Sequence, residues 1–138
     1  MDKIVNRVIK RLDVFTPEGG SFIEIDNILA ELLDVNDAMP AFESMYKVFE
    51  RYPNNYNETM WTIVHTLEDS IGYEEELINS LRRKPTKFTL TMLNRILNTG
   101  QKKYKEYDLL KIIEEILANP NSSRDIGNYA FEIYNKHR

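Results

Sequence analysis

The chain has 138 residues, 42% of them hydrophobic and 29% charged, with a formal net charge of −4 and no cysteine. That length suffices to bury a sizeable core as one domain, residues 1–138. The composition excludes a disulfide framework, a thiol nucleophile and cysteine-held zinc, and it is compatible with a reducing cytoplasm.

Taken in chain order, nearly every segment repeats its apolar residues at helical spacing. The first helix is expected near Asp2 to Asp13, with Ile4, Val5, Val8, Ile9 and Leu12 on one face and Thr16-Pro17-Glu18-Gly19-Gly20 ending it. Ser21-x-x-Glu24 has the form of a capping box opening a second helix that buries Ile25, Ile28, Leu29, Leu32 and Leu33. Asp37 caps the third, Pro40 falls in its first turn, and Phe42, Met45, Tyr46 and Phe49 form its stripe. After Pro53-Asn54-Asn55, Asn57 caps the fourth, which carries Met60, Trp61, Val64, Leu67 and Ile71 up to Gly72. Trp61 and Tyr46 are expected in the core.

The fifth helix spans about Tyr73 to Arg83, with acids in its first turn and Arg82-Arg83-Lys84 in its last, both favourable to the helix dipole. Pro85-Thr86 opens the sixth, with Leu90, Leu93, Ile96 and Leu97, stopped by Gly100. The seventh buries Leu109, Leu110, Ile112, Ile113, Ile116 and Leu117, and Ser122 or Ser123 caps the eighth, with Ile126, Tyr129, Ala130 and Ile133 inward. Short apolar pieces at Ser21–Ile23 and Thr89–Thr91 lack the bounds of strands. The expected class is all-α: about eight amphipathic helices as stacked hairpins, HEAT-like or an irregular bundle. No stretch approaches the roughly 20 apolar residues of a membrane span. The first seven residues also lack the apolar centre of a secretory signal, so a cytoplasmic location without a membrane partner is expected.

Charge is sorted along the chain. From Phe22 to Glu76 thirteen acidic residues face only Lys47 and Arg51, a net of −11. From Leu77 to Lys111 nine basic residues face Glu106 and Asp108, a net of +7. Such blocks create potentials that steer partners, and they say little about fold.

The candidate chemistry is sparse. His65 and Glu68, three apart on a helix, have the spacing of an acid–base pair or half a metal site, but the only other histidine is His137. With no nucleophile, phosphate-binding loop or HExxH motif, the chain is read as a non-enzyme without cofactor, metal or small-molecule ligand. Asp69 and Glu74-Glu75-Glu76 form the densest acidic cluster, read either as helix-dipole complement or as a landing site for a cationic partner. Tyr56, in a polar loop, and Tyr73, beside the cluster, are placed for interface contacts. The partner-binding candidates are thus Tyr56, His65, Glu68, Asp69, Tyr73, Glu74, Glu75 and Glu76. Arg82 to Lys87 with Lys102-Lys103-Tyr104-Lys105 is the alternative nucleic-acid patch, much of which helix-end charge would account for.

Trp61-Thr62-Ile63-Val64-His65-Thr66-Leu67-Glu68 and Met92-Leu93-Asn94-Arg95-Ile96-Leu97-Asn98 together resemble small all-helical, HEAT-like immunity proteins of bacterial polymorphic-toxin and contact-dependent inhibition systems. The resemblance covers roughly Trp61 to Pro120. It implies a protein that is not an enzyme and that binds and neutralises one cognate toxin domain, often by covering its active site. His65, Glu68, Arg95 and Asn98 match the pattern, as contact or as structural residues, with Arg95 leaning structural. Many such toxins are nucleases with basic clefts, to which an acidic face is complementary. A helical-repeat adaptor for another protein is the second reading, and a nucleic-acid-binding protein using residues 77–111 the third.

Overall fold

Capping side chains, prolines and glycines set the element boundaries, and a computed structural model describes residues 2–138. Among the described residues there are eight α-helices: α1 (Lys3–Val14), α2 (Ile23–Ala30), α3 (Phe42–Arg51), α4 (Glu58–Glu68), α5 (Tyr73–Arg83), α6 (Lys87–Asn98), α7 (Leu109–Ala118) and α8 (Arg124–His137). A 3-10 turn over Met39–Ala41 precedes α3, and a small hairpin of β1 (Lys103–Tyr104) and β2 (Tyr107–Asp108) precedes α7. The class is all-α.

The caps follow local chemistry. Asp2 accepts from Ile4 N at 2.7 Å, Asn57 from Met60 N at 3.0 Å and Ser123 from Ile126 N at 3.2 Å, each satisfying a donor that a helix start leaves orphaned. Thr86 and Thr89 form a reciprocal capping box at the start of α6.

Several local expectations fail, each for a visible reason. The Ser21…Glu24 capping box does not form. A turn with both Gly19 and Gly20 at positive φ holds Ser21 outside the helix, and the Glu24 carboxylate instead accepts from Arg11 of α1 at 3.1 Å. Leu33 is 83% exposed and Ile71 93% exposed, because α2 and α4 end before the helical period reaches them. Trp61 is half-buried, and the buried face of α4 turns instead through Met60, Ile63, Val64 and Leu67. Leu110, Ile126 and Tyr129 are also half-buried and Leu117 is exposed, the apolar stripes being wider than the faces their neighbours cover. Lys102 to Lys105 is not a helix end: Lys103 pairs with Asp108 and Tyr104 with Tyr107, antiparallel, around a turn in which Lys105 has φ 52°.

The chain divides into two compact units, one ending at Glu76 and one running from Leu77 to Arg138. The first has six basic against sixteen acidic residues, a net of −10; the second has twelve basic against six acidic, a net of +6. The boundary between the units coincides with the boundary between the charge blocks.

In the first unit α1 packs on α2 and α3, and α4 on α2 and α3, around Val8, Leu12, Ile25, Met45, Tyr46, Phe49, Ile63 and Leu67. Phe15, Phe22 and Tyr52 cluster with ring centroids 5.3–6.2 Å apart. Arg51 donates to the Leu12 carbonyl at 2.8 Å, which fastens α3 to the end of α1. In the second unit α8 lies against α6 and α7, and the Thr91 and Tyr129 hydroxyls meet at 2.7 Å.

Candidate partner-binding surface

The candidate surface is built on α4 and the turn after it. Asn57 fixes the start of α4, which places His65 and Glu68 one turn apart near its C-terminal end. The His65 side chain is 62% exposed and that of Glu68 19%, with Nδ1 and Oε1 3.9 Å apart. That separation makes a loose surface pair, outside hydrogen-bond range for proton transfer. Asp69 caps the helix end with its N–H donating to the His65 carbonyl at 3.0 Å, and its carboxylate faces solvent. Gly72, at φ 88°, turns the chain into α5 in a conformation that favours glycine, and a Cβ there would run into the end of the Met39 side chain.

The acidic triplet behaves differently from a solvated patch. Tyr46 of α3 is buried and donates its hydroxyl hydrogen to the Tyr73 carbonyl at 2.9 Å. Burial pushes the Tyr46 phenol well above its ordinary range, and Tyr73, Glu74, Glu76 and Glu68 push it the same way. Tyr73 is itself pushed up to about 12, first by burial and then by Glu74 and Glu68. The negative charges of Glu68, Glu74 and Glu76 thus all act on one interior hydroxyl. All three residues of the triplet Glu74 to Glu76 are half-buried, and Glu76 Oε2 is covered without a hydrogen-bond partner. The fold therefore joins His65, Glu68, Asp69, Tyr73 and the triplet around one end of α4. Tyr56, 54% exposed, precedes the other end, roughly 18 Å away by helical rise.

Stability should fall as pH rises from about 10, where unfolded phenols lose their protons, towards about 12, where Tyr73 follows in the folded state. Tyr46→Phe removes one of the two groups responsible and should flatten this alkaline loss, read as the denaturant midpoint at successive pH values. Identical slopes for the two proteins would refute the buried-phenol account.

Other acids of the block are already engaged. Glu31 accepts from both Arg7 and Arg11, Glu24 from Arg11, and Glu43 lies 3.6 Å from Lys47. Asp37 accepts from Met39 N at 3.1 Å at the start of the 3-10 turn but is exposed, as are Asp34, Glu58 and Asp69. In the second unit Arg82 bonds Glu115 at 3.3 Å and stacks 5.5 Å from the Tyr107 ring, so this member of the basic cluster has an internal role. His137 pairs with Asn94 Oδ1 at 2.8 Å; burial, then Lys136 and Lys102, lower its pKa. Arg95 and Asn98 are exposed on α6. Among the described residues no three His, Cys, Asp or Glu side chains are grouped as metal ligands, and no helix is long and apolar enough to cross a membrane.

Sequence reasoning missed a groove between α2 and α4, lined by Asp26, Leu33, Thr62, Thr66, Asp69 and Ser70 among others. The spacing of Thr62, Thr66 and Ser70, four apart on one helical face, is the signal that was legible. No family model, no curated protein and no solved structure matches the chain.

Proposed function

We propose that the chain is an immunity protein that binds and neutralises a cationic toxin domain, a nuclease, in the cytoplasm, and that it is not an enzyme. One observation carries the reading: the net of −10 is confined to the unit ending at Glu76. A surface of that charge attracts the basic cleft of a nuclease and stands in for its polyanionic substrate. The resemblance of Trp61–Glu68 and Met92–Asn98 to immunity proteins supports the same reading, and so do the exposed Asp34, Asp37 and Asp69.

The test is to mix the chain with the toxin domain encoded beside it, then measure complex formation and residual nuclease activity. Stoichiometric association with loss of cleavage is the expected result. A toxin that stays fully active in excess chain ends the reading.

A further inference from the structure

We infer that the groove between α2 and α4 is an anchoring site for an arginine side chain presented by a protein partner. The inference rests on the reading that the chain binds a cationic protein, and it names the residues that would hold the anchor. The groove has a volume of about 470 Å³ and lies wholly within the first unit.

Its polar wall contains acceptors alone. Thr62 Oγ1 donates to the Glu58 carbonyl at 3.1 Å, Thr66 Oγ1 to the Thr62 carbonyl at 2.8 Å, and Ser70 Oγ to the Thr66 carbonyl at 2.7 Å. Each hydroxyl has spent its single proton on the helix and offers only lone pairs to the groove. Across from them stands Asp26, whose Oδ2 accepts from Thr59 Oγ1 at 3.3 Å while its Oδ1 is covered and accepts nothing. Asp69 adds a second carboxylate at the rim. A buried acceptor left unmet costs free energy, more so on a charged group, and a donor entering the groove would recover that cost by drawing the Asp26 carboxylate round to meet it.

The complementary group is therefore cationic and rich in donors. A guanidinium carries five N–H donors in a planar fork and is weakly hydrated, so it leaves water at less cost than an ammonium. The rest of the groove is apolar: Leu29, Phe42 and Met45 are buried there and fit the aliphatic stem of an arginine. The exposed apolar side chains point to a protein as the source. Leu33, 83% exposed, lines the groove, and Ile71, 93% exposed, follows Ser70 in the chain. A small free cation would leave both in water, whereas apolar residues flanking an arginine would cover them.

The test uses the full chain, a blocked pentapeptide of sequence Ser-Leu-Arg-Leu-Ser, and its citrulline twin, which keeps the shape and loses the charge. Amide chemical shifts at Asp26, Thr62, Thr66, Asp69 and Ser70 should move and saturate with the arginine peptide. The citrulline peptide should bind about tenfold more weakly or worse, the size of one charge-assisted hydrogen bond. Asp26→Asn should lose a similar factor, and Leu33→Ser, at an exposed side chain that cannot threaten folding, should weaken binding several-fold.

Equal binding of the two peptides, or shifts scattered over every acidic residue, would overturn the inference. Binding of arginine amide as tight as that of the peptide would make this a small-cation site and also overturn it. The two proposals fail separately. Capture of the toxin with unchanged affinity by Asp26→Asn and Leu33→Ser removes the groove but leaves the immunity reading. A peptide that seats while the toxin goes unbound does the reverse.

Discussion

Phe49→Ala is expected to cost about 3–5 kcal/mol of folding stability, the range for deleting a buried large aromatic. Phe49 is fully buried and sits 6.2 Å from the Tyr46 ring in an edge-on contact, so its removal leaves a cavity that α3 and α4 cannot close without moving other core side chains. Trp61→Ala, although it deletes a larger side chain, is expected to cost about 1–2 kcal/mol, because a half-buried indole gives up less transfer free energy and leaves its site open to water. Denaturant titrations of the two variants under one condition decide the matter. If Trp61→Ala proves the more costly, the burial pattern of α4 described above is wrong.

Reversing Asp34 and Glu58, which are exposed and lie outside the groove, to lysine is expected to slow association with the cationic toxin about 10-fold while changing dissociation little, since exposed charges act through long-range steering. Association of the unaltered chain should slow steeply with salt, as the Debye length shrinks from about 10 Å at 0.1 M to about 3 Å at 1 M. The exposed positions are the ones to use. Reversal at Glu74 to Glu76 disturbs half-buried carboxylates around Tyr46 and would register first as lost stability. Lys84→Glu and Lys87→Glu in the second unit should leave capture unchanged or slightly faster. Rapid-mixing kinetics separate the cases. A partner that loses affinity through Lys84 and Lys87 and ignores the acidic reversals is itself acidic, and the functional reading falls.

The sequence by itself determined whatever depends on near neighbours in the chain. Helix periodicity and caps at Asn57, Thr86 and Ser123 act over three or four residues, so the eight helices and the all-α class were legible. So was the charge boundary at Glu76, because net charge is a count along the chain. The hairpin at Lys103–Asp108 was not, since two-residue strands are too short to show alternation. Tertiary structure alone decided which acids are surface. Glu24 and Glu31 found arginines on α1, and Glu74, Glu75 and Glu76 became half-buried, with the charges of Glu68, Glu74 and Glu76 acting on the buried hydroxyl of a tyrosine more than twenty positions earlier in the chain. It also decided which apolar residues stay bare, since Leu33 and Ile71 keep the helical period in sequence but fall where α2 and α4 have already ended. Burial and pairing are settled by what another helix brings to the same place, and no local pattern encodes that.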